Sequence, residues 1–343
     1  MVRSGLGNRM NELLIGRRRI GPGHPTFIIA EAGLNHNGDP ALAARLIECA
    51  AQCGADAIKF QTYQTQELFQ PDHADYQQFK RMEFSSVVYQ RLFDLAQDHN
   101  IILLSTPFDE GSADLLDSLG IAAFKVGSGE VTHLHFLEHL ARKGIPIMLS
   151  TGMSSLEQVG RAVEAIQKHD APLALLHCVS SYPCPLEEAN LRIMDALAAQ
   201  FNVPVGYSDH TTEDIAPVAA VGRGACIIEK HFTLSQHLPG WDHFFSYPPE
   251  SMTRMVNTIR QVEIALGSNM KSLRAAEHPI ETIARRSIYT RRAISTGETF
   301  THENLVVRRP LGPLSADRFQ DALGKQAPRD LPADAPLLPS DLE

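Results

Sequence analysis

V-G-Y-S-D-H-T at Val205–Thr211 and I-I-E-K-H-F at Ile227–Phe232 are two short apolar runs, and each ends near a histidine. The residues between them, 211–224, predict a helix. Strand, helix and strand in this order predict neighbouring parallel strands, with His210 and His231 side by side at one end of a sheet. Two neutral imidazoles there suit a divalent metal with open positions; the alternative is that local hydrogen bonds satisfy both rings.

Similar β-α units occur along the chain before this one. Buried strands are predicted at 27–33, 57–63, 101–108, 123–130, 146–152, 173–179, 203–209 and 227–232, with a helix between each pair and a last helix over 250–266. Helix starts are predicted at the N-cap Asp39 and at a capping box of Ser154 with Glu157. Eight such units over about 240 residues predict a TIM (β/α)8 barrel. The rival, a doubly wound open sheet, would carry a glycine-rich phosphate loop after its first strand, and none follows it here.

Two stretches depart from the repeat. Gln64–Phe84 is a polar extra segment on the side where barrel active sites lie, so we expect a rim or lid there. After Gly267, residues 268–284 predict an irregular linker, and 285–343 a small β-rich module with brief strands at 287–293, 297–300 and 304–309. The catalytic domain is therefore expected at 1–267, with 1–26 as an extension that caps the barrel.

Composition argues against several classes of function. A net charge of −9 in 343 residues disfavours nucleic acid and anionic membrane surfaces as partners. The five cysteines are odd in number and lack C-x-x-C spacing, which favours a reduced, cytoplasmic compartment. The sequence contains no apolar run of about 18 residues, so no membrane span is predicted. The basic start is broken by Gly and Pro and lacks the apolar core of a signal peptide.

Polar side chains gather where nearly every predicted strand ends, and in a barrel these ends share one mouth, where active sites are built. Lys59 and Lys125 lie inside apolar runs, where a charge is costly unless it is paired. Either they form structural ion pairs with Glu31 or Glu130, or they bind a phosphate beside the metal. Such a phosphate would also use the Ser and Thr hydroxyls at the strand ends, which are those of Ser105, Thr106, Ser128, Ser150, Thr151, Ser180, Ser181 and Ser208.

Eight stretches together resemble the sialic acid synthase family, which comprises the N-acetylneuraminate synthases and their bacterial nonulosonate relatives. They are I-I-A-E-A-G-L-N-H-N-G-D (Ile28–Asp39), K-F-Q-T-Y (Lys59–Tyr63), L-S-T-P-F-D (Leu104–Asp109), K-V-G-S-G-E (Lys125–Glu130), L-S-T-G-M (Leu149–Met153), L-L-H-C-V-S-S-Y-P (Leu175–Pro183), V-G-Y-S-D-H-T (Val205–Thr211) and E-K-H-F-T-L (Glu229–Leu234). The match follows the chain in order over nearly its whole length. The tail resembles that family's SAF, or antifreeze-like, domain, of the β-clip type.

The resemblance implies condensation of phosphoenolpyruvate with an N-acetylated amino sugar, giving a nine-carbon 2-keto acid and phosphate. His210 and His231 would bind Mn²⁺, or alternatively Mg²⁺ or Co²⁺, which would polarise the open-chain aldehyde of the sugar. Carbon 3 of phosphoenolpyruvate would attack that aldehyde, water would capture the cation at carbon 2, and phosphate would leave by C–O cleavage. The implied catalytic residues are Glu31, Gln61, Glu130 and Asp242. The implied substrate-binding residues are Lys59, Thr106, Lys125, Ser128, Ser150, Ser180, Tyr182, Ser208, Glu229 and Arg309.

Arg309 corresponds to the arginine that the family's tail domain lends to the neighbouring subunit in a domain-swapped homodimer; the alternative is a solvated basic patch. Departures from the family pattern, such as Trp241 before Asp242 and the Ser180-Ser181 pair, lie on the sugar side. The acceptor therefore stays open between N-acetylmannosamine and a 6-deoxy diacetamido sugar. Rival functions are a metal-dependent pyruvate aldolase and a non-catalytic sugar-binding barrel.

Overall fold

The computed structural model describes residues 12–343, which divide into two compact units at Gly267 and Ser268. An antiparallel hairpin of β1 (Leu13–Ile15) and β2 (Arg18–Ile20) opens the first unit. Eight parallel strands then close into a barrel: β3 (Phe27–Gly33), β4 (Ala57–Thr62), β5 (Ile102–Pro107), β6 (Phe124–Val126), β7 (Ile147–Ser150), β8 (Leu173–Cys178), β9 (Val205–Asp209) and β10 (Ile227–His231). Each strand pairs with the next along the chain, and β10 pairs with β3. The predicted TIM barrel is confirmed.

Helices follow the strands, and all but two short ones, Thr65–Leu68 and Tyr76–Met82, pack on the outside of the barrel. They are α1 (Pro40–Gln52), α2 (Thr65–Leu68), α3 (Tyr76–Met82), α4 (Ser86–Asp98), α5 (Glu110–Ser118), α6 (Leu134–Arg142), α7 (Leu156–Gln167), α8 (Ile193–Phe201), α9 (Ile215–Gly222) and α10 (Pro249–Leu266). As predicted, Asp39 caps α1 by accepting the Ala41 amide. The capping box of α7 is Ser155 with Gln158, so the predicted pair was wrong by one residue. In the part of the chain described, no helix is both long enough and apolar enough to cross a bilayer.

Alternation along each strand divides the side chains between two cores. In β3, Ile28 and Ala30 point outward and pack beneath the helices, whereas Phe27 and Ile29 point into the barrel. Leu13, Ile15 and Ile20 of the hairpin pack against these inward side chains where the strands begin. The hairpin thus covers the amino-terminal end of the barrel. The first eleven residues of the predicted 1–26 cap lie outside the described residues.

The extra segment 64–84 forms the two short helices α2 and α3 rather than an irregular loop. Its apolar side chains pack around Tyr63, with Phe79 and Met82 in the same cluster as Leu34. Tyr63 also donates from its hydroxyl to the Phe79 carbonyl at 3.1 Å. These contacts fix α3 beside the end of β4, at the mouth of the barrel.

The second unit is built around an antiparallel pair, β11 (Ser287–Thr290) and β12 (Leu305–Arg308). The helix α11 (His278–Ala284) precedes this pair, so the predicted 268–284 linker is not irregular throughout. The predicted strand at 297–300 was wrong, because that stretch makes only an isolated bridge between Thr299 and Gln326. The short helix α12 (Phe319–Ala322) follows, and apolar side chains that include Ile288, Phe300, Leu305 and Leu337 form the core.

Candidate active site

The carboxyl ends of the barrel strands surround a cavity of about 400 Å³. Inward-pointing residues sit two apart on each strand, so β4 contributes Lys59 and Gln61, and β10 contributes Glu229 and His231. Most of the predicted site residues line this one cavity: Glu31, Lys59, Gln61, Thr106, Lys125, Ser128, Ser150, Ser180, Tyr182, Ser208, His210, Glu229, His231 and Asp242. Side chains that are far apart in the sequence therefore share one volume.

Two buried lysines and two buried carboxylates form the floor of the cavity. Lys59 Nζ lies 2.9 Å from Glu31 and 3.9 Å from Glu229, and it donates to Thr106 Oγ1 at 2.7 Å. Lys125 Nζ lies 3.4 Å from Glu229 Oε1, which also accepts from the Ser208 hydroxyl at 2.9 Å. The ion-pair alternative for Lys59 is thus present with Glu31, whereas Lys125 pairs with Glu229 and not with Glu130.

The pKa values of the two carboxyl groups in this floor are shifted in opposite directions. Burial raises the pKa of Glu31 to about 7, against the opposing effect of Lys59. Burial would also raise the pKa of Glu229, but Lys125 and Lys59 outweigh it and hold the pKa at about 2. Burial lowers the pKa of the Lys125 ammonium group. One carboxyl therefore gains or loses a proton near neutral pH while the other stays charged, which is a usual separation of roles in active sites.

Two hydroxyls in the cavity have no hydrogen-bond partner among residues 12–343. They are Ser150 Oγ and Ser180 Oγ, and both atoms are buried. A buried polar atom without a partner is costly, and such atoms in a native protein call for a ligand or water. Lys59 and Lys125 line the same cavity as these hydroxyls, and together the ammonium and hydroxyl groups make an environment suited to an anion.

The rings of His210 and His231 lie side by side, with 5.3 Å between their centroids. His210 Nδ1 is 2.7 Å from the Val179 carbonyl, so this nitrogen donates and Nε2 remains as a ligand atom. Burial, followed by the proximity of His210, lowers the pKa of His231 well below its usual range. His231 Nδ1 is buried without a hydrogen-bond partner in the described chain, and it lies 3.8 Å from Asp242 Oδ2.

These donors fit a catalytic divalent metal. Neutral imidazole nitrogens are common ligands, and Asp242 provides a carboxylate oxygen nearby. Among residues 12–343 no group of three His, Cys, Asp or Glu side chains is arranged to hold a metal, so the available ligands here are the two imidazoles with the Asp242 carboxylate nearby. The alternative, that local hydrogen bonds satisfy both rings, holds for Nδ1 of His210. It does not hold for Nδ1 of His231, which has no hydrogen-bond partner in residues 12–343.

Aromatic side chains form the outer part of the cavity. Tyr182 is 49% exposed, and its ring lies 4.1 Å from that of His210. Phe79 of α3 and Trp241 of the loop before α10 lie 5.0 Å apart, and both line the cavity. The prediction that the 64–84 segment forms part of the rim is thus confirmed for Phe79.

The loop that carries Asp242 is fixed by Asn35, two residues after the end of β3. The buried Asn35 amide donates to the Phe232 carbonyl at 2.9 Å and to Ser246 Oγ at 3.0 Å. Ser246 Oγ in turn donates to the backbone carbonyl of Asp242. Asn35 thereby links the first strand of the barrel to the position of Asp242.

Two predicted site residues do not line the cavity. Glu130 lies in a 3-10 turn, Ser128–Thr132, that directs its carboxylate to His133 Nδ1 at 3.0 Å, so the structure does not bring it to the reacting centre. Arg309 belongs to the second unit, where it is exposed and donates from Nε to the Ala284 carbonyl at 2.7 Å. The sequence did not point to Gly152. Because this residue has no Cβ, the Ser128 and Ser180 hydroxyls can approach its backbone closely.

Known proteins share both units of this chain. The NeuB family model matches residues 46–271, and the SAF domain model matches residues 285–343. The chain is 40% identical to the N,N'-diacetyllegionaminic acid synthase of Legionella pneumophila, over 96% of this chain and 98% of the relative. It is 35% identical to the N-acetylneuraminate-9-phosphate synthase of Mus musculus, over 85% of each chain.

A solved structure shows the same fold. The N-acetylneuraminic acid synthetase of Leptospira borgpetersenii, in complex with citrate, has a TM-score of 0.76 at 36% identity, covering 79% of this chain and 95% of that chain. The chain therefore belongs to the NeuB family of sialic acid synthases, carries a SAF domain at residues 285–343, and is an enzyme of the nonulosonate synthase type.

Proposed function

We propose that this enzyme condenses phosphoenolpyruvate with an N-acetylated amino sugar to give a nine-carbon 2-keto acid and inorganic phosphate. The observation that carries the proposal is one cavity that is lined by two buried lysines, two hydroxyls without a partner in residues 12–343, and two neighbouring imidazoles. The first half of this set suits an anionic substrate. The second half suits the activation of a carbonyl compound.

Phosphoenolpyruvate would occupy the floor of the cavity. Its phosphate and carboxylate would be held by Lys59 and Lys125, whose ammonium groups now share Glu229 between them. An incoming anion would compete with Glu229 for these cations. The surrounding hydroxyls are those of Thr106, Ser128, Ser150 and Ser208, of which Ser150 has no hydrogen-bond partner within residues 12–343.

In the reaction, carbon 3 of phosphoenolpyruvate bonds to the aldehyde carbon of the sugar, whose oxygen takes up a proton to become a hydroxyl. Water adds at the resulting cation at carbon 2 and loses a proton. Phosphate then leaves with the bonding electrons of its C–O bond, and the carbon 2 hydroxyl loses its proton, so that a 2-keto group remains. Glu31 is the candidate that orients or deprotonates the water, and Gln61 lies in the same cavity. His210 and His231 would hold a divalent metal, for which Mn²⁺ is the first candidate. The metal would act as a Lewis acid on the carbonyl oxygen.

The acceptor sugar would lie toward the aromatic rim, against Tyr182, Trp241 and Asp242. The choice remains between N-acetylmannosamine and a 6-deoxy diacetamido sugar. The similarity to the legionaminic acid synthase of Legionella pneumophila, at 40% identity, favours the second.

We further propose a domain-swapped homodimer in the cytoplasm, in which Arg309 contacts the acyl group of the partner's sugar. The free cysteines are consistent with a reducing compartment.

The test is a phosphate-release assay with phosphoenolpyruvate, Mn²⁺ and a panel of N-acetylated amino sugars. We expect release that requires both substrates and is abolished by chelation. A pyruvate aldolase would release no phosphate, and a sugar-binding protein would bind the sugar without turnover.

Variants sharpen this assay. His231→Ala should abolish turnover and weaken Mn²⁺ binding, and Lys125→Met should abolish phosphoenolpyruvate binding. Lys168→Met, at a side chain that is 64% exposed, is the matched control and should behave as the wild type. Full metal-dependent activity in His231→Ala would refute its role as a ligand.

A further inference from the structure

A third buried lysine, Lys230, lies directly behind the two histidines and takes no part in the cavity described above. Its side chain is 1% exposed, although it is flanked in β10 by the cavity residues Glu229 and His231. Because side chains alternate along a strand, Lys230 points to the outside of the barrel while its two neighbours point inward. Burying an ammonium group costs free energy, so the groups that compensate its charge have to be identified.

Lys230 holds both of the residues that flank His210. Its Nζ lies 2.6 Å from Asp209 Oδ2, and it also donates to the Thr211 backbone carbonyl. Asp209 in turn accepts from the Thr211 amide at 2.9 Å and from the Thr211 hydroxyl at 3.2 Å. Lys230 and Asp209 are also direct register partners in the β9–β10 pairing.

An aromatic ring packs against the ammonium group on another side. Lys230 Nζ lies 4.2 Å from the centroid of the Tyr247 ring, a cation–π distance. Tyr247 is itself held, because its backbone amide donates to the His231 carbonyl at 2.8 Å and its hydroxyl donates to Asp214 at 2.9 Å. The same ammonium group therefore contacts residues next to His210 and a residue that bonds the backbone of His231.

We propose that Lys230 is a positioning residue that fixes the spacing between the His210 and His231 imidazoles. It reaches from the residue before His231 to the residues on both sides of His210, so neither strand end can shift without breaking its contacts. The inference rests on the metal site of the proposed function. Groups behind the metal ligands commonly determine their orientation, and their loss weakens metal binding about 10- to 100-fold.

The test compares two double variants that carry no buried charge. Asp209→Asn with Lys230→Met removes the link between the strands and replaces the side chain by an apolar one of similar length. Asp209→Asn with Lys230→Gln leaves a neutral amide on each strand, and because glutamine is one bond shorter than lysine these amides allow only a weaker, longer link. Lys168→Met is the control, because this side chain is 64% exposed and takes no part in these contacts. Mn²⁺ affinity is measured by electron paramagnetic resonance, and phosphoenolpyruvate affinity by calorimetry without metal.

We expect the Met variant to bind Mn²⁺ about 10- to 100-fold more weakly than the wild type, with phosphoenolpyruvate affinity within about twofold. The Gln variant should lie between the two. If the Met variant does not fold, a Gln variant that binds Mn²⁺ at least about threefold more weakly supports the proposal. Folded double variants that bind Mn²⁺ like the wild type would overturn it. A wild-type protein that binds no Mn²⁺ would instead overturn the metal assignment, and the positioning role with it.

Discussion

Gly152→Ala adds one methyl group at the point where two cavity serines meet. A Cβ at this position would lie 2.4 Å from Ser180 Oγ, 2.8 Å from Ser128 Oγ and 3.2 Å from the Cys178 carbonyl. Ordinary contact begins near 3.4 Å, so the Ser180 hydroxyl must move by about 1 Å and that of Ser128 by about 0.6 Å. The hydrogen bond from the Gly152 amide to Ser128 Oγ, now 3.0 Å, would be strained or lost.

The magnitude follows from these displacements. Overpacking a close-packed site costs about 1–3 kcal/mol, and a lost hydrogen bond costs about 1 kcal/mol. Since part of the strain is relieved by rotating two serine hydroxyls, we expect the free energy of unfolding to fall by about 1–2 kcal/mol. The KM for phosphoenolpyruvate should rise about tenfold, which corresponds to about 1.4 kcal/mol of lost binding.

The assays are urea denaturation and initial rates of phosphate release. Gly160→Ala is the matched control, because its Cβ would meet only the Phe201 ring at 3.8 Å and its helical site tolerates alanine. Adding Ser180→Ala to Gly152→Ala removes the shortest contact and should restore part of the stability. If Gly152→Ala equals the wild type in both assays, the crowding inferred between these residues is wrong.

Three further predictions concern pH and the sugar side. Burial lowers the pKa of His36 to about 4 from its ordinary 6.5, so the unfolded chain takes up the proton first, and stability should fall by about 3 kcal/mol between pH 7 and 4. Urea denaturation of wild type and His36→Gln should differ in this pH dependence; equal slopes would contradict it. Trp241→Ala should raise the acceptor KM about tenfold, because the ring lines the outer cavity, and leave that of phosphoenolpyruvate unchanged. Initial-rate kinetics test this, and a matching rise in both constants would argue against it. Arg309→Ala should likewise raise mainly the acceptor KM; equal loss for both substrates would count against the swapped arginine.

The barrel and the inward set at its mouth were predictable because strand alternation is a local property of the sequence. Once β10 is recognised, Glu229 and His231 must share a face, and their order in the chain needs no tertiary information. Glu130 shows where this reasoning stops. It follows β6 within the same apparent run, but the chain turns into a 3-10 helix at Ser128 and moves its carboxylate away from the cavity.

Other features depend on contacts that only the folded chain reveals. The same alternation could have placed Lys230 and Asp209 outside the barrel, but it could not show that one ammonium group reaches both Asp209 and Thr211. The Ser155 cap lies beside an equally suitable Ser154, and the backbone decides between them. The need for glycine at position 152 comes from Ser128 and Ser180, which follow other strands.

The hairpin of β1 and β2 has a kinetic consequence. Inward side chains such as Phe27, Ile29 and Leu104 fill the barrel interior, and the hairpin side chains pack beneath them. Small molecules would therefore have to reach the cavity from the opposite end. Lys59 and Lys125 are each 3% exposed and lie deep, whereas Trp241 at the rim is 41% exposed. A sugar seated at the rim would obstruct the route to the floor. The deeper reactant should therefore enter first, giving a compulsory order of addition, with excess acceptor inhibiting by occupying the empty enzyme.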